Sequence, residues 1–98
     1  MLERLVTLLD LPDADYWADI GSVDARSVVD ENPVTVLSEV SHQWRSWPVM
    51  RQEHLAYILG ESSLLIEKEI LLEMVKSSNS SVAMSAREAL RSTPANEA

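Results

Sequence analysis

Apolar residues recur along this chain mostly at the spacing of three and four that places them on one side of an α-helix. Leu2, Leu5, Val6 and Leu9 predict a first helix that ends near Leu11-Pro12. Asp13 to Ile20 predicts a short, irregular helix stopped by Gly21, and Ser22 or Asp24 caps a second short helix through Val28 and Val29. From Asn32 the signals sharpen. Asn32 is a good N-cap and Pro33 stands at the first helical position, where its missing N–H costs nothing. Val36, Leu37 and Val40 continue an apolar stripe toward Trp44, and Ser46-Trp47-Pro48 repeats the device of a polar cap followed by proline. The helix after it carries Leu55, Ile58 and Leu59 and stops at Gly60, which suits a left-handed C-terminal residue.

Ser62 or Ser63 opens the next helix, whose Leu64, Ile66, Ile70, Leu71, Met74 and Val75 spread over a wide face. A helix apolar over so wide an arc is sandwiched between neighbours. Ser77 to Ser81 reads as a polar turn, Val82, Ala86, Ala89 and Leu90 mark the last helix, and Thr93-Pro94 ends it. Connections of a few residues make successive helices pack antiparallel. Composition agrees, since two glycines are too few for the turns of a β-sandwich. The fold class is all-α: a short α-solenoid of five to six helices in antiparallel hairpins, whose small Ala56, Ala83, Ala86 and Ala89 permit close stacking. At 98 residues the chain makes a single domain over 1–98. It divides into acidic N-terminal helices over 1–46 that act as a cap, repeat-like helices over 47–93 and a frayed tail over 94–98.

Charge adds a second layer. Sixteen acids against eight bases give −8. Residues 1–44 hold nine acids and two bases, net −7, whereas 45–98 hold seven acids and six bases, net −1. Such a field repels nucleic acid and anionic membrane and draws basic partners in, or it simply keeps the protein in solution. The absence of cysteine excludes disulfides and thiolate metal sites. Met1 to Asp10 does not read as a signal peptide, and no run approaches the 18 or so apolar residues of a membrane span. A soluble, cytoplasmic protein is expected.

Catalytic patterns are missing. Glu53-His54 lacks the second histidine of a zinc helix, because position 57 is Tyr57. Gly21 and Gly60 are isolated, no serine sits in a nucleophile elbow, and Asp13, Asp15 and Asp19 do not match a calcium loop, which would need glycine at 18 and glutamate at 24. The expectation is no catalytic residue, no metal and no cofactor. Tryptophan is the exception to the bland composition: Trp17, Trp44 and Trp47 occur in a chain without phenylalanine. Trp44 and Trp47, the latter beside Pro48, read as a packed corner. Trp17, bracketed by Asp15 and Asp19, reads equally as core or as an anchor for a basic partner.

Two resemblances extend this reading. Trp47-Pro48-Val49-Met50-Arg51-Gln52 leading into Leu55-Ala56-Tyr57-Ile58-Leu59-Gly60 resembles the first helix of a HEAT-type repeat, and Leu65 to Val75 resembles the second. Asn79-Ser80-Ser81-Val82-Ala83 with Ala86-Arg87-Glu88-Ala89-Leu90 resembles the opening of a further repeat. Small acidic HEAT-like proteins in turn resemble bacterial immunity proteins, the cognate inhibitors of secreted toxins. That resemblance implies a cytoplasmic, non-catalytic protein that binds a basic toxin domain, for instance a nuclease, one to one and covers its active-site cleft with acidic surface. Asp15, Trp17, Asp19, Asp24, Asp30 and Glu31 are the partner-binding residues it points to. The alternative is a HEAT-like adaptor in a multiprotein assembly.

Overall fold

The computed structural model describes residues 2–11, 13–60 and 65–92, and these are almost wholly helical, with no strand among them. The helices are α1 (Leu2–Leu9), α2 (Ala14–Tyr16), α3 (Ser22–Glu31), α4 (Pro33–Gln43), α5 (Val49–Ile58), α6 (Leu65–Met74) and α7 (Ser80–Ser92). A π-turn, Trp17–Gly21, joins α2 to α3, and a 3₁₀ turn, Trp44–Ser46, follows α4. The protein is all-α. Among the described residues no helix is long and apolar enough to cross a membrane.

Contacts run mainly between helices two apart in the chain. α1 packs on α3, α3 on α5 and α5 on α7, while α4 packs on α6, and α3–α4 and α6–α7 contacts tie the two rows together. That pattern fits stacked helical hairpins. α1 departs from it by also touching α4 and α5, which closes one end of the stack. One hydrophobic cluster threads every helix of eight residues or more, from Leu5 and Leu9 through Val36, Leu37 and Val40 to Leu55, Ile70, Leu71, Met74, Val82 and Ala86. Burying each of its larger aliphatic side chains contributes about 1.5–3 kcal/mol. Trp44 and Trp47 belong to this core, and arginines lie over their rings, Arg45 at 4.8 Å and Arg51 at 5.3 Å. Arg51 also makes a forked pair with Asp10, both bonds 2.9 Å, which fastens α5 to the end of α1.

Several local expectations are corrected. Gly21 does not stop a helix. It is buried in ordinary helical geometry, φ −60°, and the helical path runs unbroken from α2 through the π-turn into α3. Its role is close approach: a Cβ there would lie 2.7 Å from Leu11 Cδ1 and 3.0 Å from Trp17 Cε3. No cap is therefore needed at Ser22, whose hydroxyl donates to the Ala18 carbonyl instead (2.9 Å). The cap stands earlier, at Asp13, whose carboxylate accepts the Tyr16 amide at 2.9 Å. Asn32 occupies the N-cap position of α4 but makes no side-chain cap bond, and Pro48, not Ser46, immediately precedes α5. The polar run before α7 is more than a turn, because Asn79 Oδ1 accepts the amides of Ser81 at 3.1 Å and Val82 at 3.3 Å. Gly60 keeps its expected left-handed conformation, φ 90°. The expected cap at Ser62 or Ser63, the apolar Leu64, the Pro12 break, the Thr93-Pro94 stop and the tail over 94–98 lie outside the described residues.

The interior holds an ion pair that the hydrophobic pattern did not suggest. Arg26 on α3 meets the fully buried Glu67 on α6 through a forked pair of 2.8 and 2.7 Å. The same guanidinium donates to the Ile58 carbonyl (3.0 Å) and to Asp30 (3.0 Å), and Glu67 accepts the Gly60 amide (2.8 Å). Both ends of the pair thus reach the backbone where α5 ends, and they hold its left-handed exit in place. Burial alone lowers the Arg26 pKa, but the hydrogen bonds to Glu67 and Asp30 outweigh it and hold the pKa above the ordinary arginine value.

Candidate functional site

The six residues singled out in the sequence separate into three groups. Asp15, Asp19 and Asp24 are exposed and, among the described residues, make no ion pair. Asp30 and Glu31 are engaged within the chain, Asp30 by Arg26 at 3.0 Å and Glu31 by Arg4 at 3.7 Å. Trp17 is only 4 % exposed. It does not project between its aspartates. The π-turn rotates its indole inward, where it stacks on the His54 ring at 4.2 Å with an interplanar angle of 11°.

Exposed apolar residues accompany the free carboxylates. Tyr16, Ile20 and Val23 are 52 %, 46 % and 62 % exposed on the stretch whose Trp17, Gly21, Ala25 and Val28 are buried. Their spacing of four and three aligns them along the helix face turned away from the core. An outward face is ordinarily polar, so an apolar stripe there is unusual. Asp15, Asp19 and Asp24 are interleaved with it. The signal is legible in the sequence as a second apolar periodicity, out of phase with the first, though the neighbouring charges and Trp17 mask it.

A groove opens beside this stretch. Its walls are Trp17, Ala18 and Ser22 on one side and Ser85, Glu88 and Ala89 of α7 on the other, with Glu53, His54 and Tyr57 of α5 between them. Its volume is about 930 Å³. His54 donates from Nδ1 to the Leu9 carbonyl at 2.7 Å, because a carbonyl can only accept, and this fixes the ring against Trp17. The Tyr57 ring lies 6.0 Å from Trp17, tilted by 52°. Glu53 accepts a hydrogen bond from Ser81, and Glu88 pairs with Arg91 at 3.1 Å.

Ser85 and His54 line the same groove, yet no hydrogen bond joins them among the described residues. The nucleophile–base contact of a hydrolase is therefore not formed here. Nor do three or more His, Asp or Glu side chains converge as metal ligands among the described residues. His42, the other histidine, is exposed and bonds the Ser38 carbonyl one turn back (2.8 Å). Comparison of the chain with protein-family models, curated proteins and solved structures found no match in any of the three.

Proposed function

We propose that this chain is a non-catalytic protein-binding domain that works as an immunity protein. In this reading it neutralises a cognate toxin by laying its acidic face over a basic, substrate-binding cleft. The observation that carries the reading is the apolar stripe Tyr16-Ile20-Val23 set among Asp15, Asp19 and Asp24, which make no ion pair among the described residues. Exposed apolar surface supplies the contact energy, since aromatic and aliphatic anchors dominate interface energetics. The carboxylates supply encounter rate and register, because complementary charge speeds association toward about 10⁸–10⁹ M⁻¹s⁻¹ at low salt. A nuclease cleft that holds phosphates presents the matching positive charge. Asp30 and Glu31 contribute to the field but are already paired, so they take a smaller part than the sequence assigned them. Trp17 acts from beneath, by setting the phase that turns Tyr16 and Ile20 outward.

The adaptor reading draws on a different feature, the exposed Leu65 and Leu72 two turns apart on α6, which offer a second apolar surface. Capture with the tagged chain from its native cell extract, at low and high salt, separates the two. An immunity protein recovers one basic toxin domain in one-to-one ratio, and the triple variant Asp15→Asn/Asp19→Asn/Asp24→Asn recovers markedly less of it. Recovery of several unrelated proteins, or equal recovery by the triple variant at every salt concentration, rejects the immunity reading.

A further inference from the structure

The groove between the π-turn, α5 and α7 has a chemistry of its own. Three aromatic rings, Trp17, His54 and Tyr57, gather at one end, and the carboxylates of Glu53 and Glu88 stand along the same lining, which among the described residues includes no lysine or arginine. Stacked aromatics beside carboxylates suit a guanidinium, which is planar, stacks on rings and pairs with carboxylates through its forked N–H groups. The chain itself uses that chemistry twice. Arg45 lies over Trp44 and Arg51 over Trp47, and each of these arginines also pairs with a carboxylate, Glu73 and Asp10 respectively. Trp17 is the remaining tryptophan, and no arginine of this chain lies over its aromatic cluster among the described residues.

We propose that this groove receives an arginine side chain of the basic partner. The inference rests on the protein-binding reading above for the existence of that partner, and it adds which of the partner's side chains is read and where. Tyr57, more than half exposed, offers its ring face, with the His54 edge beside it. Glu53 and Glu88 take the guanidinium N–H groups. The Glu88–Arg91 bridge is solvent-exposed and worth at most about 1 kcal/mol, so this contact opposes an incoming arginine only weakly. At about 930 Å³ the groove also admits the few residues that flank such an arginine. A flexible ammonium would lack the stacking contact, which makes arginine, not lysine, the preferred occupant.

The test is a titration of the isotope-labelled full chain with N-acetyl-arginine amide, followed by NMR. Saturable shifts are expected at the Trp17 indole N–H and at the amides of Glu53, His54, Tyr57 and Glu88, with a weaker response to N-acetyl-lysine amide. The double variant Glu53→Gln/Glu88→Gln should bind about tenfold more weakly, the effect of losing a charge-assisted contact. Tyr57→Ala should weaken binding as well, and it provides a second check should the double variant fold poorly. Asp15→Asn/Asp19→Asn/Asp24→Asn should leave these shifts in place. Absence of saturable shifts, shifts confined to the Asp15–Asp24 face, or an equal response to the lysine amide would overturn the assignment. So would unchanged binding by the folded double variant or by Tyr57→Ala. Because this titration needs no partner, its failure leaves the capture result standing, and failed capture leaves the groove result standing.

Discussion

Arg26 and Glu67 show how a single residue pair ties distant parts of this chain together. They are 41 positions apart, and their contacts extend to Ile58 and Gly60 where α5 ends. Removing Glu67 takes away the buried counter-charge of Arg26 and leaves it the exposed Asp30, and breaking a buried pair typically costs about 3–5 kcal/mol. Glu67→Ala is therefore expected to lower the urea midpoint clearly, because that loss is a large share of the about 5–15 kcal/mol by which small domains are stable. The double substitution Arg26→Met/Glu67→Met should recover much of that loss, since an apolar pair of similar volume is often neutral against a buried ion pair. If the double variant proves as unstable as Glu67→Ala, the bonds to Ile58 and Gly60 matter more than the charges. The pH dependence has a defined sign. The folded state holds the Arg26 proton more tightly than the unfolded chain does, so its stabilisation is complete below the ordinary arginine pKa. It is lost only as pH rises through the raised value, and Arg26 adds no pH dependence near neutrality.

At the scale of elements, the helix starts differ in what holds them. α7 begins at a side-chain cap, Asn79, while α4 begins at Asn32, which caps nothing with its side chain, and Pro33. Asn79→Ala should therefore cost about 1 kcal/mol, the usual worth of a lost cap. Asn32→Ala should cost only a few tenths, as expected away from such features. Urea melts of both variants against the parent decide the matter, and equal losses would mean that Asn32 caps α4 in solution. α7 is also the element for which a loosened first turn has the widest effect, because it packs on both α5 and α6 and forms one wall of the groove.

At the scale of the whole molecule the charge is lopsided, with −7 of the −8 carried by residues 1–44. Some of it is neutralised by the Arg4–Glu31, Arg26–Asp30 and Arg51–Asp10 pairs, and the carboxylates of Asp15, Asp19 and Asp24 are left to repel one another. Self-repulsion destabilises a compact state, and salt screens it over about 8–10 Å at physiological strength. The melting temperature should therefore rise as sodium chloride is increased from low to physiological concentration. It should rise less in Asp15→Asn/Asp19→Asn/Asp24→Asn. A melting temperature that falls with salt would show that the ion pairs outweigh the repulsion. The overall shape, 37 × 30 × 25 Å, leaves no long concave surface of the kind an extended solenoid presents. On the protein-binding reading, recognition would use a helix face or a groove such as the one between the π-turn, α5 and α7.

Helix identity and the main core positions were legible along the chain, because they follow from spacing alone. Leu5, Leu9, Val36, Leu37, Val40, Leu55, Ile70, Leu71 and Met74 are all buried where the periodicity puts them. The acidic character of the N-terminal helices was legible too, but not which acids are paired, since Asp30 and Glu31 read like Asp15, Asp19 and Asp24 until Arg26 and Arg4 meet them. Tertiary structure decided the rest. Gly21 read as a stop because glycine destabilises helices, yet the need for Leu11 and Trp17 to close over it outweighed that preference. Trp17, read equally as core or as an anchor, became core because a π-turn shifts the helix phase, and a turn of that kind follows from packing against His54 and Gly21 more than from local propensity. Glu67 was hidden among apolar neighbours because nothing nearby in sequence shows that Arg26 will meet it. The groove joins residues from Trp17 to Ala89, and contacts across such separations exist only once the helices have stacked.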